Sequence, residues 1–343
     1  MSTPIDTALS RDAGIDIPLI CGPMYPCSNP ELVAAVSAAG GIGIVQPVSL
    51  TYVHGWDFRE GLRHIRSLTD RPIGFNALIE ASSKTYAERM DRWIDIALEE
   101  GVRFFVTSLG KPDEVVRRVH AVGGKVYHDV TARRWAQKGA DGGADGLIAV
   151  NREAGGHAGP TSPEALLEEV GDLGLPVVCA GGIATPDGFA AALAMGYVGV
   201  QCGTRFIATA ECTASDEYKQ AILDAEADDI VLTERLTGVP VAVIDTPWVR
   251  SIGLKAGPIA RWMLRGHRRK HWMRMIYSLR SIRNLKRGLT ASEADRTYWQ
   301  AGRSVQSIDE IEPAARIVLD FGTAARDLLS RPKTIDTEER ISE

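Results

Sequence analysis

Asn151-Arg152-Glu153-Ala154-Gly155-Gly156-His157-Ala158-Gly159 sets one imidazole among glycines, directly after the apolar run Gly146-Leu147-Ile148-Ala149-Val150 and ahead of Ser162-Pro163-Glu164, a helix opening. Glycines there accept backbone angles that a Cβ resists, and they let a flat ligand approach the main chain. An imidazole titrates near ~6.5, so His157 can exchange a proton at neutral pH; taken alone, it would serve equally well in a tight turn. Two more glycine loops follow apolar runs: Ala180-Gly181-Gly182-Ile183 and Gln201-Cys202-Gly203-Thr204-Arg205-Phe206. Backbone N–H groups exposed at such turns, with a helix amino end behind them, cradle a phosphate. Gly22-Pro23-Met24 and Gly74-Phe75-Asn76 complete the set. Asn76 can both donate to and accept from the edge of a heterocycle, and Met24 can pack on a flat ring or fill core.

These groups need elements to hold them. Short β-rich runs alternate with helical patterns, the signature of parallel β/α units. Strands are expected at 18–21, 42–46, 72–76, 103–107, 125–129, 146–150, 176–180 and 198–201, with helices at 30–39, 58–68, 86–100, 113–121, 132–139, 163–173 and 186–195. Eight strands with intervening helices favour a closed TIM (β/α)8 barrel over an open sheet, which puts the glycine loops and His157 at the carboxyl ends of strands, where barrels of this kind keep their sites. Beyond Cys212 the rhythm changes to a helix at 216–225, extended segments over 230–244, one or two basic helices over 258–289, and a terminal helix over 311–329. The expected organisation is a barrel over 1–228, a smaller basic cap inserted at 229–306, and a returning helix and tail over 307–343.

The 343 residues, 45% of them hydrophobic and 24% charged, fit a folded globular protein rather than a disordered one. No basic-then-apolar leader begins the chain and no apolar run approaches ~18 residues, so the expected location is the cytoplasm, without a transmembrane segment. The five cysteines show no Cys-x-x-Cys spacing, which argues for reduced thiols and against a zinc site. His267 and His271, four apart, lie in a basic stretch that would repel a metal cation. Nucleophile-elbow, zincin and Walker motifs are absent, and Gly40-Gly41-Ile42-Gly43 enters a strand instead of following one, unlike a dinucleotide fingerprint. The net charge of −5 hides an uneven distribution: residues 247–292 carry twelve of the 39 lysines and arginines and none of the 44 acidic residues.

In this order, the motifs at Gly22-Pro23-Met24, Gly74-Phe75-Asn76, Glu153–Gly159, Ala180–Ile183 and Gln201–Phe206 resemble the nitronate monooxygenase family, formerly 2-nitropropane dioxygenases, over about 17–208 and more weakly over 301–319. The surrounding superfamily includes NADH:quinone reductases and flavin-dependent enoyl-thioester reductases. The resemblance implies FMN at the barrel mouth, its phosphate at Gly181, Gly182, Gln201, Gly203 and Thr204, and its ring near Asn76 and the Gly22-Pro23-Met24 loop. Gly155 and Gly156 would lie along it, with His157 beside the reacting face as base. Three positions depart from the family pattern: Val150-Asn151-Arg152 replaces a common Gln-Gly, Cys21 stands where Gln is usual, and Asp129 stands where some relatives carry Lys.

The resemblance implies oxidation of alkyl nitronates with O2 through reduced flavin. The alternative is an NAD(P)H-dependent reductase of an enoyl-CoA, another acyl thioester or a quinone, with NADH or NADPH as electron donor and Arg268, Arg269 and Lys270 drawing in the anionic carrier. Trp272, Met275, Ile276, Leu279 and Ile282 recur at helical spacing, so the cations also suit the solvated side of an amphipathic helix. The expected partner is a small molecule rather than nucleic acid, and a homodimer is compatible with the chain.

Overall fold

The computed structural model describes residues 4–80, 84–236, 238–255 and 298–330. The helices expected over 258–289, with Arg268, Arg269, Lys270, His267 and His271, lie outside the described residues.

Eight parallel strands close into one barrel in sequence order: β1 (Leu19–Cys21), β2 (Ile42–Val45), β3 (Gly74–Ile79), β4 (Phe104–Leu109), β5 (Lys125–Val130), β6 (Gly146–Val150), β7 (Val177–Ala180) and β8 (Val200–Cys202). The outer layer is built from α2 (Pro30–Ala38), α3 (Phe58–Leu68), α4 (Lys84–Glu99), α5 (Asp113–His120), α6 (Arg133–Asp141), α7 (Pro163–Val170) and α8 (Pro186–Met195), after a short α1 (Ala8–Ala13). The starts have local causes. Asp57 accepts from the Arg59 and Glu60 amides to open α3, while Ser162 and Thr185 cap α7 and α8 ahead of a proline at the first turn.

Side chains alternate across each strand. Ile20, Ile42, Ile44, Phe104, Val106, Tyr127, Ile148, Val178 and Ala180 fill the barrel, while Phe75, Phe105, Val126, Leu147 and Cys179 belong to the clusters beneath the outer helices. The amino end of the barrel is closed by α1, whose Leu9 and Ala13 join the interior cluster. That helix has only six residues, too few to show a periodic pattern; its start is a capping box between Thr7 and Ser10.

Several expected bounds shift by up to three residues. The helix expected to reach 173 ends at Val170 and tightens into a 3-10 turn over Gly171–Leu173, because Gly174 turns into the left-handed region. The extended segments expected over 230–244 are present as an antiparallel pair, β9 (Ile230–Thr233) with β10 (Val241–Ile244). A short α9 (Thr204–Ile207) follows β8, then α10 (Asp216–Asp224), α11 (Pro247–Ile252) and the returning α12 (Ala314–Ser330), which packs on α8 and α2. Buried Arg205 fastens α9 to the run leading into α12, donating to the Ala208 and Glu310 carbonyls at 2.8 and 2.7 Å and facing the Glu312 carboxylate.

Candidate active site

At the carboxyl ends of the strands, alternation turns a ring of polar side chains inward, one step above the apolar filling. Asn76 lies between outward Phe75 and Ala77 on β3, Asp129 between outward His128 and Val130 on β5, and Gln201 between outward Val200 and Cys202 on β8. Among the described residues, Asn76 Oδ1, Asp129 Oδ1 and Gln201 Oε1 are all buried without a hydrogen-bond partner. An unpaired buried polar atom costs about 1–3 kcal/mol, so three facing one mouth indicate a polar ligand that supplies the missing partners. Burial pushes the Asp129 carboxyl up to about 7.

The glycines shape this mouth. A Cβ on Gly22 would press within 2.9 Å of the Gln201 side chain, so the glycine leaves that amide its place. Gly181 and Gly182 both have positive φ, 116° and 82°, and a Cβ on Gly181 would meet the Ala154 backbone nitrogen at 2.6 Å. Gly203 stands beside Met24, whose amide is held by Ser28 Oγ at 2.8 Å and whose carbonyl accepts from Ser49 Oγ. Pro23 follows Gly22, whose amide donates to the Cys202 carbonyl and so ties the first loop to β8. Thr204 is buried at the start of α9, its Oγ1 accepting from the Gly302 amide at 3.0 Å. The loops after β7 and β8, with the short helix behind, form the arrangement that holds phosphate in many barrels.

His157 sits in the loop after β6 with its side chain reaching solvent. The protein crowded around the imidazole holds its pKa below the ordinary value, favouring the neutral, proton-accepting form at pH 7. The loop is clamped from three sides. Gly156 exchanges backbone hydrogen bonds with Ala242 of β10, at 3.3 and 2.7 Å. Gly155 packs so closely on Ala301 and Gly302 that a Cβ would fall 2.9 Å from either. Asn151, fully buried, receives the Glu153 amide on Oδ1 and donates through Nδ2 to the Gly181 carbonyl at 3.1 Å. Asn151 thus joins the histidine loop to the glycine loop after β7. In the sequence it is only a departure from the family pattern, since its partner Gly181 lies thirty positions away.

The structure therefore brings together Gly22, Pro23, Met24, Asn76, Gly155, Gly156, His157, Gly181, Gly182, Gln201, Gly203 and Thr204 on the loops and strand ends of one face, and adds Asp129 and Asn151. The five cysteines are free and buried. Among the described residues there is no group of metal-ligating side chains, and no helix is long and apolar enough to cross a membrane.

A family model described as nitronate monooxygenase matches residues 6–322. A (3aS,4S,5R,7aS)-5-hydroxy-7a-methyl-1-oxo-octahydro-1H-indene-4-carboxyl-CoA dehydrogenase from Rhodococcus jostii is 32% identical over 301 residues, spanning 88% of this chain and 82% of that protein. A nitronate monooxygenase from Pseudomonas aeruginosa is 30% identical over 272 residues, spanning 67% of this chain and 77% of that one. Among solved structures, FabK from Thermotoga maritima superposes with a TM-score of 0.78 at 29% identity, covering 95% of this chain and 97% of its own. Nitroalkane oxidase from Streptomyces ansochromogenes gives 0.73 at 25% identity, with 94% and 99% coverage.

Proposed function

The chain belongs to the nitronate monooxygenase family and is a flavin-dependent oxidoreductase, and from that premise we propose that it uses FMN to oxidise an acyl-CoA thioester. One observation carries the choice of substrate: the described segments on either side of the cationic stretch meet the His157 loop. Residues 247–292 hold twelve lysines and arginines and no acid. Upstream of the residues left undescribed, β10 pairs with Gly156; downstream, Gln300 Oε1 lies against Gly156 and Gly302 against Gly155. Trp248 and Tyr298 stack across the two flanks with ring centroids 5.9 Å apart. Cations concentrated in a segment that leaves and returns at the candidate base suit the phosphates of coenzyme A, whereas a small nitronate needs no such capture. The thioester dehydrogenase relative supports the same substrate class. This reverses the order in which the motifs alone rank the two substrates.

The residues present fit a flavin. Gly181, Gly182, Gly203 and Thr204, with Gln201, would hold the phosphate end, while Asn76 and the Gly22-Pro23-Met24 loop would meet the ring, relieving the orphaned amide oxygens. Protons α to a thioester and α to a nitro group are acidic for one reason: the carbanion's charge moves onto a neighbouring oxygen. Neutral His157 can accept such a proton. When bound, the flavin supplies the acceptor for a hydride from the β-carbon. Loss of that proton and hydride removes two hydrogens and two electrons, leaving an α,β-unsaturated thioester. The opposite direction would need NADH or NADPH as hydride donor. On this reading 229–306 acts as a cap over the mouth.

Nitronate oxidation is the second reading, favoured by the family model and the Pseudomonas aeruginosa relative. Mixing the anaerobic flavoprotein separately with saturated acyl-CoA thioesters, an alkyl nitronate, NADH and NADPH separates them. The proposal expects bleaching by a thioester alone; bleaching by the nitronate with every thioester inert overturns it. Neutralising Arg268, Arg269 and Lys270 together is expected to raise KM for the thioester with flavin content intact, and unchanged KM would remove these three from carrier binding.

A further inference from the structure

The ring of unpartnered polar atoms contains two amides and one acid, and the acid has no role in the scheme above. We propose that Asp129 is a proton store for the flavin site: its carboxyl takes up one proton when the flavin is reduced and releases it on reoxidation. This rests on flavin occupying the mouth that Asn76, Asp129 and Gln201 line.

The placement comes from the strand. On β5, Val126, His128 and Val130 face outward; Tyr127 points into the filled barrel and Asp129 lies one inward step above it. Asp129 Oδ1 is buried and accepts no hydrogen bond. Among the described residues that oxygen has no partner to stabilise the charged form, and burial is the cause of the raised pKa. No counter-ion comes from the flanking strands: β4 (Phe104–Leu109) and β6 (Gly146–Val150) contain no titratable side chain. On β5 itself, Lys125 is held by Asp145, Tyr127 by Asp12, and His128 bonds Thr107 on the outer face. Of the helices packed on β5, α5 and α6 meet its outward side, where Lys138 of α6 reaches the Leu109 carbonyl and Arg133 pairs with Asp172. At the rim, Arg152 and Arg303 face Glu153, and His157 is the remaining titratable group of the β6 loop.

An acid poised near neutrality beside a redox centre must respond to its charge. Two-electron reduction with one proton delivered to the ring leaves one added negative charge in the mouth. A like charge disfavours carboxylate, so Asp129 takes a proton from solvent; the electrons come from the thioester in turnover, or from dithionite in a titration. Where some relatives of this family carry Lys, a fixed cation could neutralise that charge; an acid does so only by binding a proton.

The test is potentiometric titration of the flavin-loaded protein across neutrality, with free FMN as reference and Asp129→Asn as variant. Flavin content is measured first, so that a colourless protein counts against the flavin site rather than against Asp129. Wild type is expected to show a steeper fall of midpoint potential with pH above neutrality, by one proton per two electrons, than free FMN or the variant. The variant should match wild type in acid and lie at a higher potential in alkali. Parallel lines at all pH values overturn the proposal. Should Asp129→Asn lose flavin, proton uptake by the wild type during dithionite reduction in weak buffer decides the matter: an extra proton above neutrality, with a protonated-carboxyl infrared band, supports it, and the proton count of free FMN refutes it.

Discussion

Asp145 and Asp129 are both partly buried at opposite ends of the same barrel wall, and their carboxyls are pushed in opposite directions. At the amino end, burial would raise the Asp145 pKa, but hydrogen bonds from His120 at 2.7 Å, Lys125 at 2.9 Å and the Val126 amide at 2.8 Å hold it below the usual range. At the carboxyl end, Asp129 meets burial with nothing to offset it. The other polar groups follow the same division. Tyr127 donates to Asp12 at 3.0 Å, and Arg71 pairs with Asp16, whereas Asn76 and Gln201 keep unpartnered oxygens at the mouth. The closed end is complete as folded; the open end is complete only with a ligand. Fold alone does not specify chemistry, but an imbalance of this kind locates where the chemistry is.

Substitutions at the two ends should therefore differ in kind. The largest effect is expected at the mouth: His157→Ala should lower kcat by on the order of 10²- to 10⁴-fold with flavin content and melting temperature unchanged. In wild type the acid limb of kcat/KM should fall below the ordinary imidazole value of ~6.5, because the protein crowded around the imidazole favours the neutral base; a limb above it would remove His157 as that base. Next, Asp145→Asn should cost about 2–3 kcal/mol near neutrality by denaturant unfolding, leaving flavin and turnover untouched. Its carboxyl is depressed in the folded state, so that stabilisation is present above the unfolded pKa of ~3.9 and is lost as pH falls through the folded value.

Asp129→Asn should do the opposite in the flavin-free protein, raising stability by on the order of 1–2 kcal/mol above neutrality. Its folded pKa is raised, so the penalty is absent below ~3.9, grows as pH climbs to about 7 and is constant beyond. A difference from wild type that is the same at acid and alkaline pH would contradict the burial of that carboxyl. Smallest, Tyr127→Phe should cost about 1 kcal/mol for its bond to Asp12, with the flavin spectrum and kcat unchanged. Loss of activity there would mean the closed end is not merely structural.

The barrel was readable in the sequence because each parallel strand is a short apolar run between helical patterns. The helices Phe58–Leu68 and Pro186–Met195 match the expected bounds, since Asp57, Thr185 and Gly196 mark their ends. The glycine loops and His157 were readable because glycine at a strand end has few other uses. What escaped depends on long-range pairing. Asn151 acquires meaning only once the loops after β6 and β7 are adjacent. Asp129 was visible as an unusual residue, but its lack of partners follows from what β4 and β6 do not contribute. Likewise, nothing local in 241–244 or 298–303 announces that Ala242 and Gly302, on either side of the basic stretch, both meet the His157 loop.

The central claim is that the orphaned polar ring marks the flavin position. A crystal structure of the protein loaded with FMN tests it most directly. The account predicts the isoalloxazine edge within hydrogen-bonding reach of the Asn76 and Asp129 side chains, the phosphate on the Gly181-Gly182 and Gly203-Thr204 loops with the Gln201 amide, and His157 over the ring. A ring bound elsewhere, with those three side chains still unpartnered, would contradict it.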